Sequence, residues 1–323
     1  IQLTHALQVT SGVSGREPCQ KIVDAYNGAK RRSGNSRGCS AYNDFRELLD
    51  KERDIDAVVV CTTDNLHAAV SAAAMKKKKH VFCQKPLTHT IYEARQIAQL
   101  ARETGVATQI AVGNQASEDT RLLCEWIWSG AIGPVREVVN WSSRPFWPQG
   151  LDRPLAAEPV PDGLDWDLWL GPAPERPFNH AYAPFVWRGW ADFGCGALGD
   201  MGCYSYDTIF RVLKLEAPLS VEASSTDRYA ETYPMASIIR YQFAARGEMP
   251  PVTFTWYDGG LKPARPAELE ENRLFKGEGE EDEGLLFIGD SGKILCGITG
   301  RGPKLIPQAN MDAFQPPPKT LSR

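Results

Sequence analysis

The stretch between residues 55 and 112 leaves the chain few folds to choose from. Ile55-Asp-Ala-Val-Val-Val-Cys61 is an unbroken β-branched run, the pattern of a strand buried on both faces of a sheet. A polar loop follows at Thr62-Thr-Asp-Asn-Leu-His67, then an alanine-rich helix from His67 to Met75 and a strand from His80 to Cys83. A helix from Thr90 to Thr104 and a strand from Ala107 to Val112 repeat the unit, and a short amphipathic helix, Asp44 to Leu49, precedes it with Asp44 near its start. Strands and helices in this alternation predict a parallel sheet, whose ligands bind in the loops at the carboxyl ends of the strands.

Beyond Asn114-Gln115 the pattern changes. A helix from Glu118 to Ser129 leads through Gly130-Ala-Ile-Gly-Pro134 into an alternating strand, Val135 to Trp141. Further strands at Leu219 to Ser225, Ser237 to Phe243 and Val252 to Trp256 come without long helices between them, which predicts a mostly antiparallel open sheet. The expected architecture is therefore α/β: a Rossmann-type parallel sheet, incomplete at its N-terminus, in residues 1–115, then an α+β domain in 116–323 for substrate binding and oligomerisation. The acidic run Glu270 to Glu283 reads as a solvated loop.

With 323 residues and 42% hydrophobic content, two domains with real cores are expected. The net charge of -4 offers no electrostatic footprint for nucleic acid or an anionic membrane. The longest apolar runs fall far short of the roughly 20 residues that cross a bilayer, and Ile1-Gln-Leu-Thr-His5 has no signal-peptide character. A soluble, cytoplasmic protein is the expectation. The eight cysteines show no CxxC spacing and the five histidines no HxH or HxxxH pair, so no metal site is expected.

Three constellations could carry chemistry. Lys85 stands at the end of the strand in His80-Val-Phe-Cys-Gln-Lys-Pro-Leu87, where its ammonium could hold a cofactor, bond a substrate hydroxyl or donate a proton; the plainer reading is a surface lysine. The following X-Pro bond is a candidate for the cis form. In Gly194-Cys-Gly-Ala-Leu-Gly-Asp-Met-Gly-Cys-Tyr204, a helix beginning near Asp200 would stack that carboxylate and Tyr204 on one face at i and i+4, suited to a polyol and a proton relay; the plainer reading is an N-cap aspartate beside a packed tyrosine. Six of the nine tryptophans, at 141, 147, 166, 169, 187 and 190, are interleaved with Arg144 and Arg188. Indole faces suit sugar rings and arginines suit hydroxyls, although most tryptophans are core. Near the start, Ser11-Gly-Val-Ser-Gly15 reads as an ordinary loop before a helix opened by Pro18, and no GxGxxG occurs.

Together these segments resemble the Gfo/Idh/MocA family of NAD(P)-dependent oxidoreductases of sugars and inositols. The resemblance rests on Asp56-Ala-Val-Val-Val-Cys-Thr-Thr-Asp-Asn-Leu-His67, Lys79 to Leu87, Gly113-Asn-Gln115, Gly130-Ala-Ile-Gly133, Trp166 to Pro172, Trp187-Arg-Gly-Trp190 and Gly199 to Tyr204, over roughly residues 40 to 310. It implies NAD or NADP as cofactor, and Lys85 as the lysine beside nicotinamide and substrate hydroxyl. Asp200 and Tyr204 fall on the family's substrate-binding and acid/base pair, with tyrosine in place of histidine. It further implies that Thr62, Thr63, Asn65, His67, Gln84, Lys85, Asn114, Trp187 and Arg188 line the cofactor. Arg144, Trp147, Asp200 and Tyr204 would meet the substrate, and the second-domain sheet would join copies into a homo-oligomer. Gln84 stands where the family has mainly glutamate. The family's opening strand and glycine-rich loop have no counterpart in the chain, nor do its last segments, so the chain reads as a member lacking both ends. The implied reaction is hydride transfer between NAD(P) and a hydroxyl or keto group of a sugar or polyol. Two alternatives are an NAD-dependent glycosidase or lyase acting through transient oxidation, and a non-catalytic carbohydrate-binding relative.

Overall fold

The computed structural model describes residues 20–26, 39–279 and 281–322, and they form two compact units. The first comprises the described residues up to 111 together with 151–196; the second comprises 112–150 and the described residues from 197 onward. Residues 151–196, expected with the second domain, thus group with the first. The Ser11–Gly15 loop lies outside the described residues, and residues 20–26 form a helix, α1.

The first unit is built on three parallel strands in the order β1 (Ala57–Val60), β2 (His80–Cys83), β3 (Thr108–Ile110). Helix α2 (Phe45–Lys51) starts where Asp44 accepts from the Arg46 N–H. Helix α3 (Asp64–Lys76) begins three residues earlier than its alanine content suggests, because Thr63 takes the extended N-cap conformation, so the loop after β1 shrinks to Cys61–Thr63. Helix α4 (Ile91–Thr104) carries a full capping box between Thr90 and Glu93 and ends at Gly105 with φ +66°. That cap contributes about 1 kcal/mol, and the left-handed turn is one that glycine adopts without steric cost. α3 packs against α4, β1 and β2, placing Val60, Val81 and Cys83 in one core with Leu66, Val70, Ala74 and Met75.

The expectation that β1 is buried on both faces fails. Val59 is 64% exposed, and its partner Phe82 is exposed as well. The helical packing falls on the alternate residues, and strand periodicity then leaves the other row open.

Residues 151–196 carry the tryptophan-rich core of this unit. Trp169, Phe178, Tyr182, Trp187, Trp190 and Phe193 are buried around helix α6 (Trp166–Leu170), with the indoles of Trp166 and Trp169 stacked at 4.8 Å.

The second unit is a seven-stranded sheet in the order β10 (Lys304–Ile306), β9 (Lys293–Cys296), β8 (Gly284–Gly289), β4 (Val135–Trp141), β7 (Val252–Tyr257), β6 (Ser237–Phe243), β5 (Ser220–Ser225). β4 and β7 are parallel, and the other neighbours pair antiparallel. Helices α5 (Glu118–Trp128) and α7 (Gly196–Leu213) share a core with one face, through Leu123, Ile127, Ile209 and Leu213 against Val138, Phe254, Phe287 and Ile294. A short helix, α8 (Gln308–Ala313), follows β10. The opposite face buries Val139, Trp141, Leu286 and Leu295 beneath Leu269 and Phe275. The acidic stretch is therefore not a simply solvated loop: Phe275 lies within it and packs on the sheet, and Glu283 at its end is 6% exposed. Among the described residues no helix is long and apolar enough to cross a membrane.

Candidate functional site

In the first unit the candidate residues gather at the carboxyl ends of β1 and β2. The Gln84 N–H donates to the Val60 carbonyl at 2.9 Å, which fixes the loop after β2 onto its neighbour. The Lys85–Pro86 bond that follows is cis. His67, 1% exposed on the first turn of α3, has Nδ1 2.6 Å from the Pro86 carbonyl oxygen and Nε2 3.1 Å from that of Thr62. One ring thus braces both loops. Desolvation pushes its pKa down from the ordinary value, against the pull of the two carbonyls.

Thr63 and Asn65 are also turned inward. The Thr63 hydroxyl donates to Asn65 Oδ1 at 2.7 Å, and Asn65 Nδ2 donates to the Leu170 carbonyl at 3.0 Å. The Asn65 N–H donates to the Phe193 carbonyl at 3.2 Å, binding the tryptophan-rich segment to the strand ends. Thr63, Asn65 and His67, matched to cofactor contacts by resemblance, therefore have their side chains engaged within the unit; what they shape is the loop. At the same strand ends stand Thr62, whose hydroxyl donates to the Thr63 carbonyl at 3.2 Å, and half-buried Gln84 and Lys85. The Gln84 amide makes no hydrogen bond among the described residues. A hydroxyl, a neutral amide and an ammonium at two adjacent strand ends form a donor and acceptor set that suits ribose hydroxyls and a carboxamide, so these residues fit the nicotinamide half of a dinucleotide.

Trp187 and Arg188 lie in a 3-10 turn of the same unit, Val186–Gly189. Trp187 is buried in the aromatic core, while the Arg188 guanidinium stands 4.3 Å from the ring centroids of Trp187 and Phe185 and donates to the Phe185 carbonyl. Gly194 is required there, since a Cβ would come within 2.6 Å of the Arg188 Cα.

The second unit holds the other set. α7 begins four residues before Asp200, so that residue is not the N-cap; the end of the helix is held from elsewhere in the chain. Gln149 Oε1 accepts from the Ala197 N–H at 3.1 Å and from Trp147 Nε1 at 3.0 Å, while its Nε2 donates to the Pro234 carbonyl at 2.7 Å. Asp200 is 9% exposed and Tyr204 half-buried, one helical turn apart on a common face. Tyr206 is turned into the core, its hydroxyl 3.2 Å from that of Tyr241, and burial raises its pKa well above the ordinary value. Asn114 donates through Nδ2 to the Tyr204 carbonyl and to Thr208 Oγ1. Its amide is thus a clamp on α7. Arg144 follows β4 with Nη1 2.8 Å from Glu283 Oε1, and Trp147 is buried beside Gln149. Cys83 and Cys124 are buried with thiol pKa values pushed up to about 11, which leaves them poor nucleophiles.

Two residues of this framework went unnoticed in the sequence. Glu283 carries a signal in retrospect, as the last acid before the apolar run Gly284-Leu-Leu-Phe-Ile288. Gln149, a lone amide in Pro148-Gln-Gly150, carries none.

Two family models match the chain: residues 5–112 fit one described as an oxidoreductase family, NAD-binding Rossmann fold, and residues 132–249 fit its C-terminal alpha/beta domain. Myo-inositol 2-dehydrogenase of Thermotoga maritima is 31% identical over 112 residues, 35% of this chain and 33% of that protein. The 1,5-anhydro-D-fructose reductase of Ensifer adhaerens is 30% identical over 197 residues, 59% of this chain and 47% of that protein. The chain thus spans about a third to a half of the curated relatives it matches. The crystal structure of an NAD-binding protein from Listeria innocua superposes with a TM-score of 0.55 over 90% of this chain and 64% of that one, at 15% identity, a likeness of fold.

Proposed function

The chain belongs to the Gfo/Idh/MocA family of NAD(P)-dependent oxidoreductases, and from that premise we propose that it transfers a hydride between NAD or NADP and a hydroxyl or keto group of a sugar or polyol. The observation that carries the reading is the pair of strand-end loops braced by His67, which places Thr62, Gln84 and Lys85 side by side at the carboxyl ends of β1 and β2. The relatives' names, an inositol dehydrogenase and an anhydrofructose reductase, support a neutral polyhydroxylated substrate class.

When bound, the nicotinamide supplies the hydride acceptor or donor. In the first unit Thr62 and Gln84 would hold it by hydrogen bonds, and Lys85 would donate a hydrogen bond to the reacting oxygen and stabilise negative charge there. In the second unit Tyr204 carries the hydroxyl proton at Oη, and Asp200 accepts from neighbouring hydroxyls to orient the ring. Asn114 and Gln149 keep α7 in register for both. We assign a homo-oligomer contact to the second-unit sheet, whose edge strand β5 is exposed along its whole length; light scattering of the purified protein tests it.

Calorimetric titration with NAD+ and with NADP+, followed by absorbance of the reduced nicotinamide in a panel of sugars and polyols, tests the main reading. Binding of one cofactor and its reduction by at least one polyol is expected, with turnover falling about 100-fold or more in Lys85→Ala. Absence of cofactor binding, or full turnover in that variant, overturns it.

A further inference from the structure

Glu283 is buried although its neighbours Glu281 and Asp282 are exposed. Its Oε1 accepts from Ser142 Oγ at 2.6 Å, from the Ser143 N–H at 3.2 Å, from Ser143 Oγ at 3.3 Å and from Arg144 Nη1 at 2.8 Å. Glu281 Oε2 stands 3.8 Å from the same Arg144 nitrogen. The nearby Lys262 ammonium bonds Asp282 at 2.6 Å. The Arg144 guanidinium carbon lies 4.9 Å from the centroid of the exposed Phe146 ring. Its side-chain hydrogen bonds run through Nη1; Nε and Nη2 make none among the described residues, and neither is a buried orphan. Arg144 therefore presents a two-donor edge whose positive charge is neutralised from behind.

That combination discriminates between ligands. A carboxylate or phosphate approaching Nε and Nη2 gains two charge-assisted bonds but faces the carboxylates of Glu283 and Glu281 across the guanidinium. Two neighbouring hydroxyls accept from the same donors without that repulsion. The segment that Arg144 opens ends at Gln149, which accepts from the Ala197 N–H at the start of α7, the helix that carries Asp200 and Tyr204.

We propose that Arg144 selects substrates carrying uncharged vicinal hydroxyls over sugar acids and sugar phosphates, and that Glu283 is the residue that sets this selection by masking the arginine's charge. The inference rests on the reading of Arg144 as a substrate-side residue of a sugar or polyol oxidoreductase. Glu283 is a positioning residue: it touches the arginine, and the arginine touches the ligand.

The test uses sugar pairs that differ only at C6, D-glucose with D-glucuronate and D-galactose with D-galacturonate, titrated against the intact protein in the presence of NAD+. Wild type should favour the neutral member of each pair. Glu283→Gln keeps a carbonyl oxygen for Ser142, Ser143 and Arg144 but removes the charge, and should move the neutral-to-acid affinity ratio toward the acid by about tenfold or more. Glu283→Asp, which keeps the charge and alters the reach, should leave the ratio near wild type, and Glu283→Gln combined with Arg144→Gln should abolish the shift. A uniform loss for both members in Glu283→Gln, with no change in ratio, assigns Glu283 a purely structural role and overturns the proposal. So does a wild-type preference for the acids while polyol turnover persists, which leaves the oxidoreductase reading standing. Failure of both members of every pair to bind, with no cofactor reduction, overturns both.

Discussion

His67 shows how far a side chain's type can mislead about its role. In a polar loop motif it reads as a ligand contact, yet it is buried, with each ring nitrogen facing a carbonyl oxygen of a different loop. A neutral ring can donate to only one of them, and the 2.6 Å contact at Nδ1 is where that proton sits best. Desolvation, the largest influence, lowers the pKa of the folded protein below that of the unfolded chain, so the unfolded state binds more protons between the two values. Stability from this residue is therefore fully present above about pH 6.5 and is lost as pH falls through the folded-state value. Urea melts across that window should show the decline, and His67→Gln should flatten it. The variant should also lose about 1–3 kcal/mol at neutral pH, because the buried ring that bridges the Thr62 and Pro86 carbonyls is lost. At this scale the sequence revealed Lys85, Asp200 and Tyr204 as candidates through their motifs. It could not reveal whether an asparagine or histidine of this motif faces a ligand or the interior, because that depends on acceptors outside the motif, the Leu170 carbonyl for Asn65 and the Pro86 carbonyl for His67.

Elements were more legible where local chemistry decides them. β4 and β6 match their expected spans, and α4 is flanked by a capping box and a left-handed glycine that the sequence spells out. Thr90→Ala should destabilise the first unit by about 1 kcal/mol in thermal melts, through loss of that box alone. β8, β9 and β10 were not legible, since short strands among glycines and an acidic run carry little periodicity. The start of α7 differs from its expected place for another reason. Its Ala197 N–H is satisfied by Gln149, 48 positions away. Gln149→Ala removes the acceptor of the Ala197 and Trp147 N–H groups and the donor to Pro234. We expect about 2–4 kcal/mol lost from the second unit, together with faster amide exchange at the first turn of α7 than at its last. Equal exchange at both ends would show that the helix start does not depend on this clamp.

At the scale of the molecule, the chain crosses between units three times, near residues 111, 150 and 196, where a single crossing at 115 was expected. Composition shifts report where the kind of secondary structure changes; they do not report a return to the earlier core. The return is made by specific bonds within the first unit: Asn65 to Leu170 and Phe193, and His89 Nε2 at 3.1 Å from the Gly194 carbonyl oxygen. Leu66 also packs so closely on Gly171 that a Cβ there would meet it at 2.5 Å. A fragment ending at residue 115 would thus expose the buried N-terminus of α3 and strand the amide of Asn65, at a cost of several kcal/mol against the roughly 5–15 kcal/mol that typically holds a domain together. Such a fragment should fail to unfold cooperatively. Joining residue 111 to residue 151 through a flexible glycine-serine linker of about 15 residues restores every one of those bonds while omitting 112–150. The linked chain, ending at residue 196, should recover a cooperative transition and the near-ultraviolet signal of the stacked Trp166 and Trp169. Cooperative folding of the 1–115 fragment alone would mean that the parallel sheet is self-sufficient and that the tryptophan core is an addition to it rather than part of its foundation.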